Sequence, residues 1–404
     1  MPLSGVQVGS VYDGIGDPTT PGWPSTGECE RLSDKEVENK GNVPLIPSLL
    51  ISSADGDAII RTIGGKVVNV DWQGGEDNCT KARKTAENRV EAAKNNRLMQ
   101  LGRGGIGSAE WVEENREMLA ARVVAYLNVD CAVQGGPFRA SATPHLDDII
   151  IEAAQQVQDP DNSSQTIYQS WLASDNDTTL GRLGGAGSDY AAFVQHIGTP
   201  ALDMSFGNGY PVYHSMYDDT VWMKKFGDPM FHRHAAVASI WGLVAVRLVD
   251  DEVLSFNYIS YAIKLQKSAE GLEGEISDNG ISLVPLYASI EKLRKAAKKI
   301  KDDIKALRVK RRRASVREVR ERNDRLIMTE RAFTDRDGLP SRTWYKHLTG
   351  ILRATSRRFF GAVGVSLRTI STMEKDKEIT GSQKQLEEAL KAAFPDVSDG
   401  CYLQ

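Results

Sequence analysis

The chain has 404 residues, enough for two or three domains and a sizeable hydrophobic core. Its hydrophobic content of 41%, charged content of 26% and net charge of -4 are ordinary globular values that favour neither a nucleic-acid nor a membrane partner. No basic and apolar leader opens the sequence, and no apolar run approaches the ~18 residues of a membrane helix. Four scattered cysteines predict neither a cysteine-ligated metal nor a disulfide framework.

The first hundred residues fall into two stretches of different composition. Residues 1–75 are rich in glycine and proline, with one amphipathic stretch at 55–63, and predict a small β-rich unit. Residues 76–106 permit helix formation but carry few core-forming side chains. We therefore interpret them as an exposed helix or a linker.

Strands alternate with helices from residue 107 to residue 255. This alternation favours a mostly parallel sheet with helices on both faces. Apolar periodicity predicts strands at 123–130 and 200–206, and helices at 109–122, 146–157, 189–195 and 231–249.

The chain from residue 256 to residue 404 is chiefly helical and highly charged. Residues 288–328 alternate apolar positions with Lys, Arg, Glu and Asp, which favours paired helices. The predicted fold class is therefore α/β followed by a helical region.

Asp130 and His214 are the most informative candidate ligands. Asp130 ends the predicted strand at 123–130, and open α/β sheets present ligand groups at the carboxyl ends of their strands. His214 lies in a turn rich in aromatic residues, at 209–219. A carboxylate and an imidazole suit a zinc site. Each residue also has a structural interpretation, because Asp130 could cap the next element and an isolated histidine is more often structural.

Two further motifs have simple structural interpretations. Residues 102–107 fit the template G-x-G-x-x-G, but the preceding residues are polar and not strand-like, which argues against a dinucleotide fingerprint and favours a chance match in a Gly-rich loop. The basic run at 308–313 has acidic neighbours and no interleaved aromatic residue, so it predicts a solvated helix face. No Gly-x-Ser-x-Gly elbow of a serine hydrolase occurs.

The other histidines do not define a site. His232 and His234 are two residues apart on a predicted helix and point to different faces. No acidic partner can be recognised by spacing alone for His145, His196 and His347.

Several runs in a fixed order carry a family resemblance. In the α/β part these are residues 107–111 (Gly-Ser-Ala-Glu-Trp), 127–130 (Leu-Asn-Val-Asp), 184–190, 210–217 and 228–231. Further runs lie at 330–333 (Glu-Arg-Ala-Phe), 338–340, 344–347, 16–22 and 46–48. Together they resemble the family of zinc peptidases and receptors that includes glutamate carboxypeptidase II and the transferrin receptor. The chain resembles an incomplete, fungal- or plant-like member of that family.

This resemblance implies a division of the chain. Residues 1–75 would be part of a protease-associated (apical) domain, and residues 76–106 an atypical linker that replaces the first half of the peptidase domain. Residues 107–255 would be the C-terminal half of a zinc exopeptidase-like domain. Residues 256–404 would be a transferrin receptor-like dimerisation domain.

The resemblance also implies a dinuclear zinc site in the active members, with two histidines, two aspartates and a glutamate as ligands and an adjacent glutamate as general base. Asp130 matches the second aspartate and His214 the second histidine. Ser188, Asp189 and Tyr213, which lie in the matching runs, would contact the substrate.

The departures from the family pattern concern catalysis. No histidine precedes His145, and the adjacent glutamates would fall at Leu101 and Gly102. Three of the five ligands and the base are therefore absent, so no catalytic residue is predicted and zinc binding is expected to be absent or weak. Asp203 and Ser205 stand where glutamate carboxypeptidase II has arginines that hold an acidic substrate.

Two functional hypotheses follow. The first is a glutamate carboxypeptidase-like zinc metallopeptidase, an exopeptidase that is inactive as written, with a peptide substrate only if its site is completed. The alternative is a non-catalytic dimeric binding or scaffold homologue like the transferrin receptor. Either would form a homodimer through residues 256–348 and bind no nucleic acid. Intact relatives are expected to be membrane-anchored or in secretory or vacuolar compartments, and the abrupt departures suggest a truncated or mis-spliced sequence.

Overall fold

The computed structural model describes residues 4–6, 14–26, 28–40, 43, 51–62, 105–175, 180–183, 187–207, 209–276, 282–309, 315–339 and 343–348. The chain divides into two compact units. The first unit comprises residues 1–110, 186–188 and 208–231, and the second unit comprises residues 111–185, 189–207 and 232–404. The predicted linker, up to residue 104, and the region after residue 348 lie outside the described residues.

Helices and turns make up the described part of the first unit. Its helices include α1 (Asp34–Asn39), α2 (Ser53–Thr62) and the beginning of α3 (Ile106–Glu114). The loop before α1 is held by Glu110, whose carboxylate accepts the backbone N–H groups of Asp17 at 2.7 Å and Ser25 at 2.6 Å. Helix α2 covers the predicted amphipathic stretch, and the described part of residues 1–75 contains no strand.

A small mixed sheet organises the second unit. Its strands are β1 (Tyr126–Asn128), β2 (Val133–Gly135), β3 (Phe138–Ala142) and β4 (Ala201–Gly207). Strand β4 is parallel to β1 and β2 and antiparallel to β3. Because Phe206 pairs with both Val133 and Phe138, β2 and β3 lie on opposite edges of β4. The predicted α/β class with parallel strands is confirmed, with one antiparallel strand added.

Strands β2 and β3 were not predicted because their sequences lack the β-branched runs that mark strands. Strand β2 is three residues long and ends at Gly135, and β3 reads Phe-Arg-Ala-Ser-Ala. A close backbone approach requires glycine at 207, where φ is +85° and an added Cβ would meet the carbonyl oxygen of Gly135 at 1.4 Å.

Helices surround this sheet and continue beyond it. In the second unit they are α4 (Arg116–Arg122), α5 (Asp147–Gln156), α6 (Ile167–Asp175), α8 (His232–Asp250), α9 (Tyr258–Ile276), α10 (Val284–Val309) and α11 (Val316–Arg331). A 3₁₀ turn at Pro144–Leu146 precedes α5, and the helix predicted at 189–195 is a π-type turn at Ala192–His196. In the first unit α7 (Thr220–Trp222) continues into a π-type turn at Met223–Gly227. None of the described helices is both long enough and apolar enough to span a bilayer.

One hydrophobic core joins the sheet to the late helices. Phe138 of β3 packs edge-on against Trp171 of α6 and against Phe206 of β4, with ring centroids 5.3 and 5.6 Å apart. The same core continues to Tyr261 of α9 and Leu293 of α10, both about 1% exposed. The predicted boundary at residue 255 therefore falls inside a shared core, and removal of the late helices would expose it.

Candidate functional site

Carboxylates gather around the carboxyl end of strand β1, beside Asp203 in the first half of the parallel strand β4. Asn128, the last residue of β1, donates from Nδ2 to Oδ1 of Asp203 on β4 at 2.8 Å. Burial raises the pKa of Asp203, the hydrogen bond from Asn128 opposes this rise, and the charge of Asp130 adds to it. Asp130 lies just after the end of β1 and has an exposed side chain. The sequence analysis placed it at the end of this strand.

Tyrosines and Asp189 complete the surroundings of these carboxylates in the second unit. Burial raises the pKa of Tyr190 to about 12, with contributions from the charges of Asp203 and Asp130. Burial also raises the pKa of Tyr126, and Asp189, Asp130 and Asp203 raise it further. The side chains around the carboxyl end of β1 therefore form an acidic, partly buried surface, which we call the strand-end acidic group (Asp130, Asp189 and Asp203).

His214 belongs to the first unit and has an unusual backbone. Its φ of +59° lies in the left-handed region, which is uncommon for a residue other than glycine and recurs at functional sites. The imidazole is exposed and stacks on Tyr213, with ring centroids 4.0 Å apart. Buried Val212 anchors the turn, and Ser188 is a half-buried residue of the same unit.

The described residues do not fit the dinuclear zinc site that the resemblance implies. Asp130 belongs to the second unit and His214 to the first. Among the residues that the structure describes, no group of three or more His, Cys, Asp or Glu side chains is arranged to hold a metal ion. A zinc ion in a protein has about four ligands, and a pair of zinc ions needs more, including a bridging carboxylate.

A buried cluster of His145, Glu330 and His347 was missed by the sequence analysis. His347 Nε2 lies 3.0 Å from Glu330 Oε1, and His145 Nδ1 lies 3.6 Å from Glu330 Oε2. All three side chains are 0% exposed. The sequence contained part of the evidence for this cluster, because Glu330 and His347 both lie in runs that carry the family resemblance. His145 is far from them in sequence, so spacing could not reveal the cluster.

The buried His–Glu–His cluster (His145, Glu330 and His347) connects three segments of the second unit. His145 lies in the 3₁₀ turn before α5, Glu330 near the end of α11, and His347 in the segment 343–348. His145 also stacks on Tyr258, with centroids 4.9 Å apart and planes 10° apart. Because these groups have no access to solvent, they can stabilise the fold but cannot reach a substrate.

His196 is a third buried histidine with a structural role. Its Nδ1 lies 2.9 Å from the carbonyl oxygen of Trp344, whose indole N–H donates to Glu113 Oε1 at 2.6 Å. Burial lowers the pKa of His196 to about 4, although the hydrogen bond to Trp344 opposes this shift. The imidazole is therefore neutral near pH 7.

The structure is that of a mixed α/β protein with a late helical region and a group of carboxylates beside its parallel strands. Comparisons with known proteins match both parts of this architecture. Residues 70–236 match the peptidase family M28, and residues 281–394 match the transferrin receptor-like dimerisation domain. The chain belongs to the M28 peptidase family, in the group related to glutamate carboxypeptidase II and the transferrin receptor. The M28 match includes the residues that we interpret as a linker, at 76–106.

Named relatives support this assignment. The chain is 49% identical to the probable glutamate carboxypeptidase LAMP1 of Arabidopsis thaliana, over 86% of this chain and 60% of the relative. It is 34% identical to the probable glutamate carboxypeptidase AMP1 of the same plant, over 86% of this chain and 59% of the relative. Aminopeptidase NAALADL1 of Mus musculus is 27% identical, over 86% and 60%. The chain thus spans about 60% of the length of these relatives, and M28 peptidases are generally zinc-dependent.

Proposed function

We propose that the chain is a glutamate carboxypeptidase-like metallopeptidase homologue that does not hydrolyse peptide bonds as written. The observation that carries this proposal is that the described residues offer no set of ligands for a metal ion. Without zinc, no group lowers the pKa of water far enough to make hydroxide available near neutral pH. Peptide hydrolysis would require completion of the site, with Asp130 and His214 as two of the ligands and Ser188, Asp189 and Tyr213 against the substrate.

The histidines of the chain support the proposal. The chain has six histidines, of which His145, His196 and His347 are fully buried in structural contacts. Besides His214, only the neighbouring pair on α8 remains, His232 and His234. The first zinc-ligating histidine of the family, which would lie well before residue 107, therefore has no counterpart in this sequence.

Elemental analysis of the purified chain after dialysis against a weak chelator tests this proposal. We expect less than one zinc ion per chain and no hydrolysis of peptides that end in glutamate or begin with a free amino group. The Arabidopsis thaliana relative LAMP1, treated in parallel, is the control for metal retention. Two zinc ions per chain that are both lost in Asp130→Ala and in His214→Ala would contradict the proposal.

A second candidate function is a non-catalytic dimeric binding or scaffold protein. The match of residues 281–394 to a transferrin receptor-like dimerisation domain favours it. Helices α10 and α11 carry most of the matched residues that the structure describes, and each has apolar positions among charges. We place the homodimer interface within residues 256–348.

Sedimentation of the full chain at tens of micromolar tests the interface. Val284 and Val316 are 71% and 87% exposed in the proposed interface region, and Val249 of α8, also 87% exposed, is a matched control outside it. We expect a dimer that dissociates when Val284 and Val316 are both changed to Glu and persists in Val249→Glu. A monomer with normal helix content, or the reverse response of the variants, would contradict the assignment.

The domain division remains part of the proposal. Residues 1–75 would be a partial protease-associated domain, and residues 76–106 would replace the first half of the peptidase domain through truncation or mis-splicing. Sequencing of the full-length transcript tests this point, because an additional exon with a histidine, an aspartate and a pair of glutamates before residue 107 would restore the site.

A further inference from the structure

The loop between α5 and α6 is a rigid turn on the surface of the second unit. A bridge between Gln158 and Thr166 closes it. Inside the loop, Asp159 Oδ1 accepts the backbone N–H of Asp161 at 2.7 Å and that of Asn162 at 3.3 Å. The carboxylate of Asp159 is largely buried, so these bonds hold the tip of the loop in one conformation.

Asn162 stands at the tip of this loop with an exposed side chain. Its Oδ1 accepts the backbone N–H of Ser164 at 3.1 Å and the hydroxyl of Ser164 at 2.7 Å. The triplet Asn162-Ser163-Ser164 has the form Asn-x-Ser/Thr of an N-glycosylation acceptor. Chance supplies several such triplets in a chain of this length, so exposure and hydrogen bonding have to support the assignment.

We propose that Asn162 is an acceptor for an N-linked oligosaccharide. In the reaction, the side-chain Nδ2 attacks the anomeric carbon of an oligosaccharide linked to a lipid diphosphate. A C–N bond forms, the C–O bond to the diphosphate breaks, and Nδ2 loses one proton. Ser164 supplies the hydroxyl of the acceptor triplet and donates to Oδ1, and the host oligosaccharyltransferase supplies the lipid-linked donor.

The surroundings of Asn162 can accommodate a glycan. Asn162 lies on the wall of an open cleft of about 380 Å³, lined also by Phe138, Phe206 and Arg233. Arg233 and Asp161 form an ion pair of 2.9 Å in the same lining. An oligosaccharide on Asn162 would extend into solvent and cover this opening without displacing a buried side chain.

Expression of the full chain behind an endoplasmic-reticulum leader in a eukaryotic host tests the proposal. A C-terminal acceptor tag reports delivery to the lumen, and peptide mapping before and after endoglycosidase treatment reports each asparagine. We expect a glycan on Asn162 that is lost in Asn162→Gln and Ser164→Ala and kept in Ser164→Thr. Ser163→Ala changes the neighbouring hydroxyl but leaves the triplet intact, so it is the matched control.

Mapping of each asparagine separates Asn162 from the other triplets, at 78–80 and 176–178. An unmodified Asn162 in chains whose tag is glycosylated would overturn the proposal. Glycosylation of Asn162 that persists in Ser164→Ala but is lost in Ser163→Ala would also overturn it.

Discussion

Two groups of ionisable side chains in the second unit differ in composition and in their exposure to solvent. The strand-end acidic group brings like charges together next to solvent, and burial, followed by the charge of Asp130, raises the pKa of Asp203. The buried His–Glu–His cluster places Glu330 between two imidazoles, with all three groups sealed from solvent. Access to solvent and the presence of opposite-charge partners therefore separate a surface that can meet a ligand from a group that stabilises the fold.

The two arrangements are expected to contribute differently to the stability of the fold. A buried carboxylate is tolerated only when hydrogen bonds or opposite charges replace its hydration, which His347 provides for Glu330 at 3.0 Å. At the strand ends, Asn128 provides one hydrogen bond to Asp203, but the nearby Asp130 repels it. We expect substitutions in the buried cluster to cost more stability than substitutions at the strand ends.

The largest effect is expected for Glu330→Ala. Removal of the carboxylate leaves two buried imidazoles without their acidic partner, so the free energy of unfolding should fall by about 3–5 kcal/mol. Urea denaturation at neutral pH measures this change. Exposed ion pairs contribute less than about 1 kcal/mol. A loss within that range would show that the buried cluster does not stabilise the fold more than the strand-end acidic group does.

His196 predicts a pH dependence of the stability. Its folded pKa of about 4 lies below the unfolded value of 6.5, so the unfolded chain binds the proton first as the pH falls. The stability that depends on a neutral His196 is complete above pH 6.5 and is lost as the pH falls toward pH 4. Between about pH 8 and about pH 5 the free energy of unfolding should fall by about 2 kcal/mol. Denaturation curves of the parent chain and of His196→Asn measure it, since the variant should lose less stability over this range. Parallel pH profiles would contradict the prediction.

A smaller effect is expected for Asn128→Ala. This change removes the hydrogen bond to Asp203 and should lower the free energy of unfolding by about 1–2 kcal/mol. Asn128→Asp should cost more than Asn128→Ala at neutral pH, because it adds a carboxylate beside Asp203 and Asp130. Thermal unfolding of both variants provides the measurement, and equal losses would show that charge repulsion at the strand ends is negligible.

The smallest effect is expected for Glu321→Ala, which also serves as the control for Glu330→Ala. Glu321 pairs with Arg325 at 2.7 Å on the same helix, but both side chains are well exposed. Its loss should change the free energy of unfolding by no more than about 0.5 kcal/mol. A loss comparable to that of Glu330→Ala, in the same urea titration, would attribute both effects to α11 rather than to burial.

Regular periodicity allowed much of the second unit to be predicted. The helix predicted at 146–157 is α5, and the helix predicted at 231–249 is α8, because apolar side chains recur there at helical spacing. The strand predicted at 200–206 is β4, whose apolar residues are buried. Short elements with mixed composition, such as β3 and α6, were missed because their side chains carry no such pattern.

Local patterns in the chain were sufficient for the α/β class, for the late helices and for the position of Asp130 near the end of a strand. These properties depend on neighbouring residues, whose spacing is visible in the sequence. The His–Glu–His cluster depends on the packing of α11, the segment 343–348 and the turn before α5. Glu330 meets His145 across 185 residues of chain because a shared hydrophobic core brings their segments together. Such long-range contacts arise only when the chain has folded, since no local spacing encodes them.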